Sequence, residues 1–292
     1  MPRTPAGASW LSLPSIGNRV LVLQSDFWNY NSVAIVDGDQ ALLFDPGVRP
    51  AEIESIGLAA RDGDRRRVSD LVVTHSHHDH IRGWHRYPEA TVWMPAAVER
   101  KGDAAKKRDL AFKASIDRRF GIEDAGYTFP VADRSFEEEA SVQVGSLTVE
   151  LHHLPGHSAC SSIAIVPELR TLISSDYLVS PGLPYCRWLP EAFDAAVQRL
   201  GEMCRTHEIE TVIPGHNAVI QGHAAVLAAL EEERTYFAFL RECASSLLTA
   251  GHDAKDTAHL ATQAMRERRG RKLDGRERQD GDNARRVVAE LS

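Results

Sequence analysis

The stretch Thr74-His75-Ser76-His77-His78-Asp79-His80 constrains this chain more than any other. Four histidines and a carboxylate fall within seven residues, directly after the apolar run Leu71-Val72-Val73. A strand ending in such a cluster delivers several donor side chains to one edge of a sheet. Neutral imidazole is a good ligand for zinc or iron, and a carboxylate suits the same borderline site. The ordinary alternative is a solvated histidine-rich loop. Its weakness is that further donors recur downstream in the same setting.

That setting is an apolar strand, a Gly or Pro turn, and then a metal-binding residue. Leu147 to His152 runs into Leu154-Pro155-Gly156-His157. Arg170 to Ser174 runs into Ser175-Asp176. Glu210 to Ile213 runs into Pro214-Gly215-His216. Strands that all end in candidate ligands predict one shared site at one sheet edge. The donor set is then His75, His77, Asp79, His80, His157, Asp176 and His216. Seven protein ligands exceed the four of a closed structural zinc site and point to a catalytic one. Two divalent ions a few ångströms apart would lower the pKa of a shared water, polarise a carbonyl or phosphoryl oxygen, and hold a leaving group. Asp79 would bind metal and also orient the nucleophile or shuttle its proton.

The pattern H-x-H-x-D-H at His75 to His80, with Gly156-His157, Asp176 and Gly215-His216, resembles the metallo-β-lactamase superfamily over about residues 16–225. The resemblance implies an α/β fold, a four-layer αββα sandwich with two metals at one end. It implies that His75, His77 and His157 hold one metal, that Asp79, His80 and His216 hold the other, and that Asp176 bridges them. The ions expected are zinc, with iron or manganese as alternatives. The bridging Asp176 makes the chain look more like the glyoxalase II, lactonase and thioesterase branches than the β-lactamases proper. The spacing of the later ligands is similar to that of acyl-homoserine lactonases. The expected activity is a dinuclear metal-dependent hydrolase that cleaves a small ester, lactone or thioester through a metal-bridging hydroxide. Two alternatives use the same ligands: an iron-dependent, persulfide dioxygenase-like enzyme, and a ligand-sensing regulatory protein that retains the site.

Other residues carry weaker signals. Tyr177 and Tyr185, after Asp176, are candidate catalytic donors to an oxyanion, against a packing role. Asp45, in a strand-end Asp-Pro-Gly, reads equally as a carboxylate orienting a ligand histidine and as a turn cap. His78 lies off the ligand pattern and reads as exposed or supporting. His152 and His153 read as surface residues, with one of them facing the cleft as the alternative. Asn29, Tyr30 and Asn31 are candidates to line the cleft. Cys160 reads as a small buried residue near the site.

The chain of 292 residues suits one large domain or a domain with an appendage. The division expected is a catalytic domain over 1–225 and a helical C-terminal extension over 226–292. The formal net charge of -7 disfavours nucleic acid as a partner. A small-molecule substrate, anionic if the basic run of 96–120 forms a rim, is the partner expected. No apolar run reaches membrane-spanning length. The first eight residues show no apolar signal core, and the four cysteines form no C-x-x-C pair. These point to a cytoplasmic protein with reduced thiols. Homodimer contact through the C-terminal helices is an open expectation.

Local patterns predict strands over 19–25, 32–36, 40–44, 90–94, 141–144, 147–152, 162–166, 170–174 and 210–213. They predict helices over 50–60, 96–120, 190–206 and 222–250, a helix starting at Ile81, and a helical tail with a flexible segment around Gly270 to Gly281.

Overall fold

A computed structural model describes residues 4–179, 182, 184–269 and 277–292. The chain divides into two compact units. The first contains the residues up to Leu154, Cys160–Ser175 and Gly215–Asn217; the second contains Pro155–Ala159, Asp176–Pro214 and Ala218–Ser292.

The first unit begins with a sheet whose strands follow chain order: β1 (Ala8–Leu11), β2 (Val20–Ser25), β3 (Asn31–Asp37), β4 (Gln40–Phe44), β5 (Arg67–Val72), β6 (Thr91–Pro95) and β7 (Arg134–Phe136). The first four pair antiparallel, and β4 to β7 pair parallel. The Asp37-Gly38-Asp39 hairpin forms as its turn chemistry requires, with Gly38 at positive φ. Side chains alternate along a strand. One face presents Leu21, Leu23, Ala34, Val36, Leu43 and Leu71 to Ile53 and Ile56 of α1 (Pro50–Arg61). The other face is buried as well, through Val22, Ile35, Leu42 and Phe44. Burial on both faces requires a second layer. An antiparallel meander supplies it: β8 (Glu139–Val144), β9 (Leu147–His153), β10 (Ser162–Val166) and β11 (Thr171–Ser175). Strand β8 touches β3 and β4.

Between β6 and β7 lie α2 (Ala96–Glu99) and α3 (Asp103–Phe120). The single helix expected over 96–120 is thus broken, at Lys101-Gly102. The helix expected from Ile81 does not form; only a three-residue 3-10 turn follows, Trp84–Arg86. Gly83 explains this. It sits at φ +78, and a Cβ there would come within 2.6 Å of the Pro46 carbonyl oxygen.

The second unit contains α4 (Pro190–Thr206), β12 (Thr211–Pro214), β13 (Ile220–Gln221), α5 (His223–Thr249), α6 (Ala254–Arg269) and α7 (Glu277–Leu291). Helix α4 turns Phe193, Ala196, Val197, Leu200 and Cys204 inward, at helical spacing. Helix α5 packs on β12, β13, α4, α6 and α7. The flexible segment expected around Gly270 to Gly281 lies partly outside the described residues; from Glu277 onward the chain is helical, with Gly281 inside α7. No helix among the described residues is long and apolar enough to cross a membrane. Taken separately, one unit layers helix, sheet and sheet, and the other backs strands with helices. These are the ingredients of the expected α/β sandwich with a helical C-terminal region.

Candidate metal centre

Strand β5 lies between two parallel neighbours, and its carboxyl end opens into the histidine loop. The N–H groups of His80 and Ile81 donate to the His77 carbonyl, which folds the loop into a tight turn. Asp79, His80 and His216 are brought together there, each offering a ligand atom within 4.8 Å of the others. His216 Nε2 stands 3.2 Å from Asp79 Oδ2, and His80 Nε2 4.0 Å from the same oxygen. His75 and His77 form a second pair in the loop, with Nε2 and Nδ1 only 2.9 Å apart. Two ring nitrogens at that distance need a proton or a cation between them.

The far nitrogen of each imidazole decides which way it faces. His80 Nδ1 meets Asp45 Oδ2 at 2.8 Å, and His216 Nδ1 meets the Trp28 carbonyl at 3.0 Å. His75 Nδ1 lies 3.1 Å from Thr74 Oγ1 and 3.2 Å from Ser175 Oγ. With Nδ1 bound to oxygen, Nε2 carries the lone pair toward the donors. This is how metal-binding histidines are oriented, and the donor set fits divalent ions.

Asp45 is the centre of this support. Its carboxylate also accepts from Thr74 N–H at 2.9 Å and from Thr74 Oγ1 at 2.6 Å. Of the two readings the sequence leaves open for it, the structure shows the orienting carboxylate. Asp45 has φ 43, Ser175 φ 50 and Asn217 φ 68, a region that side chains rarely adopt. Each of these residues supports or adjoins a candidate ligand, a common address for stored strain.

Burial works against an ionised Asp79, but the imidazoles of His78, His80 and His216 outweigh it and hold the carboxyl well below its usual range. His78 is buried, and that burial pushes its pKa down. It is therefore neither exposed nor a free surface base.

In the second unit, His157 Nε2 lies 3.2 Å from Asp176 Oδ2. Its Nδ1 meets the main-chain carbonyl of Tyr185 at 2.5 Å, and its N–H donates to Tyr177 Oη at 2.9 Å. Gly156 is required before it: a Cβ there would come within 2.7 Å of Tyr177 Oη. Tyr177 is fully buried, and Tyr185 Oη donates to Asp282 at 3.0 Å. Both tyrosines thus contact His157, Tyr177 through its hydroxyl and Tyr185 through its main-chain carbonyl. The loop carrying Tyr185 is fastened in turn by α7. The buried Asn283 donates to the Pro184 carbonyl at 2.6 Å and accepts from Cys186 N–H at 3.1 Å. Leu178, two residues past Asp176, donates its N–H to Glu233 of α5 at 2.7 Å; burial pushes the Glu233 carboxyl up to about 8.

The family model of the metallo-beta-lactamase superfamily matches residues 25–216. The chain belongs to that superfamily. It is 27% identical to the acyl-coenzyme A thioesterase MBLAC2 of Gallus gallus, over 71% of this chain and 80% of that one. It is 28% identical to the hydroxyacylglutathione hydrolase of Anaeromyxobacter dehalogenans (strain 2CP-C), over 68% of this chain and 66% of that one. The fold resembles a Pseudomonas sec-alkylsulfatase, Pisa1, with TM-score 0.68 and 16% identity, covering 98% of this chain and 50% of that one. This chain thus spans half the length of the sulfatase. It also resembles a metallo-beta-lactamase from Pontibacter korlensis, with TM-score 0.53 and 17% identity, covering 77% of this chain and 99% of that one.

Among the remaining expectations, Tyr30 is buried and donates to the Asp45 carbonyl at 2.9 Å, and Asn29 binds Asn217 Oδ1 at 3.0 Å. His152 is buried beside Glu139 at 3.2 Å and so is not a surface residue. Cys160 is buried in the main core cluster, with Sγ 3.3 Å from Ser76 Oγ of the histidine loop. Part of the basic run of 96–120 is held in ion pairs. Lys113 is buried against Asp117 and Asp124, Lys101 pairs with Asp109, and Arg100 with Glu137. The residues that sequence reasoning missed are Trp28, Phe112 and Asn283. Nothing in local spacing marks them, because each acts through a neighbour distant in sequence.

Proposed function

We propose that this chain is a metal-dependent hydrolase of acyl esters, with acyl thioesters the preferred class ahead of lactones and simple oxygen esters. The observation that carries the reading is the Asp79, His80 and His216 group, with both imidazoles turned by an oxygen on Nδ1. In this reading Asp79, His80 and His216 would hold one ion, and the resemblance to the superfamily assigns His75, His77, His157 and Asp176 to a second. Such ions would supply an acidified water and a Lewis acid for the substrate carbonyl.

The rest falls to the chain. Asp45 keeps His80 in the tautomer whose Nε2 is free of a proton. The Trp28 carbonyl does the same for His216, and the Tyr185 carbonyl for His157. Asp79 stays ionised at neutral pH. Its Oδ2 faces His216, and Oδ1, 3.8 Å from His78 Nε2, is the acceptor that orients the attacking water. Water oxygen then bonds to the acyl carbon, the carbon–sulfur bond breaks, and a proton passes to the departing thiolate. Thioester preference is supported by the similarity to a thioesterase and to a hydroxyacylglutathione hydrolase.

The test is hydrolysis of a panel of acyl-CoA thioesters, acylglutathiones and lactones, before and after chelation. Expected is thioester cleavage that is lost on chelation and restored by a divalent ion. Full activity in metal-stripped protein overturns the reading. Oxygen uptake with a persulfide substrate by iron-loaded protein, without hydrolysis, replaces it by the dioxygenase alternative.

A further inference from the structure

Three large aromatic side chains stay in solvent beside the donor cluster. Trp28 is 45% exposed, Phe112 45% and Phe120 42%. Exposed apolar residues scattered singly need no explanation, but contiguous ones mark a binding surface. These are contiguous. The Trp28 ring lies 5.3 Å from that of His78, and the Phe112 ring 5.0 Å from it. Trp28 and Phe120 are 6.2 Å apart, and both stand on the buried Phe27, at 4.4 and 4.9 Å.

The patch adjoins the chemistry directly. His78 is the residue before Asp79, and the Trp28 main-chain carbonyl is the acceptor of His216 Nδ1. Trp28 and Asn29 are both held at positive φ, 56 and 51, so the loop carries strain while its indole points outward. Helix α3, which bears Phe112 and Phe120, is fixed to the histidine loop. The fully buried Arg82 pairs with Asp117 at 2.6 Å, and Lys101 Nζ donates to Ser76 Oγ at 2.6 Å. The helix is therefore a fixed wall.

We propose that Trp28, Phe112 and Phe120 form the surface on which the acyl chain of the substrate lies, making this enzyme selective for medium-length or longer straight-chain acyl groups. The inference rests on the hydrolase reading above. The occupant is an alkyl chain because the patch is continuous with the group that would receive an acyl carbonyl. The patch is apolar and aromatic, with Arg119 stacked at its margin, 5.3 Å from the Phe120 ring.

The experiment is a chain-length series of p-nitrophenyl esters and acyl-CoA thioesters from C2 to C12. Expected in the wild type is a rise in kcat/KM of about 100-fold from C2 to C10, less than about twofold per methylene, because a half-open wall covers each methylene only in part and full burial would be worth about fourfold. Phe112→Ser and Phe120→Ser flatten that rise to less than about tenfold. Phe112→Leu restores most of it, and Leu58→Ser, an exposed apolar residue on α1, leaves the profile unchanged. Calorimetry with dodecanoate gives a second readout, in which Phe112→Ser weakens binding by about fivefold or more. Identical chain-length profiles in wild type and Phe112→Ser overturn the proposal, as does a dimer that Phe112→Ser dissociates without changing the profile. If no ester or thioester is cleaved yet dodecanoate binding still depends on Phe112, the hydrolase reading fails and the wall stands. If thioesters are cleaved with no preference for length, the wall fails and the hydrolase reading stands.

Discussion

His80 and His157 both follow a strand and a turn, and both have Nδ1 bound to oxygen, but they are held by different means. The partner of His80 is a buried carboxylate, Asp45, which also grips the main chain and hydroxyl of Thr74. The partner of His157 is a main-chain carbonyl, that of Tyr185. Both partners orient the ring and raise its basicity toward a metal, the charged carboxylate more than the neutral carbonyl. The two supports also differ in reach. Asp45 sits at the end of β4, beside the loop it serves. Tyr185 is fastened by Asn283 and Asp282 of α7, about a hundred residues downstream in the chain. Helix α7 is thus part of what places His157.

The comparison breaks most easily at Asp45. Asp45→Ala removes the charge behind His80 and two acceptors for Thr74. Metal affinity is expected to fall about 10- to 100-fold, measured by competition with a chromogenic chelator. Asp45→Asn is expected to recover folding and little of the affinity. An unchanged affinity would show that the carboxylate only caps a turn.

The next effect in size lies in the second support. Asn283→Leu leaves the Pro184 carbonyl and Cys186 N–H buried without their partner and removes a bond to Tyr236 Oη, 3.0 Å long. Loss of about 2–3 kcal/mol in urea unfolding is expected. The loop bearing Tyr185 loosens with it, so one ion should be lost more readily than the other. Metal stoichiometry read during dialysis checks this. Equal loss of both ions would mean that α7 stabilises the fold and leaves His157 in place.

These two supports also show what a sequence can display. The histidine loop was readable because strand β5 and a dense run of donors sit side by side, and the strand–turn–donor repeat flagged His157, Asp176 and His216 in the same way. Asp45 was half readable, since Asp-Pro-Gly at a strand end serves a turn as well as a ligand. Asn283 left no local trace: it lies in a polar stretch of α7, and its value comes wholly from a loop met through folding. Trp28 and Phe112 read as ordinary apolar residues until their exposure was known. Short strands such as β1 and β7, of four and three residues, carry too little alternation to be read. Gly83 did not betray that the helix expected from Ile81 would fail, because the Pro46 carbonyl that leaves no room for a Cβ there lies far earlier in the chain.

The smallest effect separates positioning from chemistry at Tyr185. Its hydroxyl donates to Asp282, while the atom that meets His157 is the carbonyl oxygen, which every residue has. Tyr185→Phe therefore deletes one partly buried hydrogen bond and leaves the contact to His157 intact. Unfolding free energy should fall by about 1 kcal/mol, and kcat by less than about threefold. A tyrosine that donated to an oxyanion would behave otherwise, since losing such a donor lowers kcat by about 100-fold or more. Steady-state kinetics on the best thioester of the panel distinguishes the two. A large fall in kcat with KM unchanged would return the hydroxyl to the reaction and overturn the view that this region only holds His157 in place.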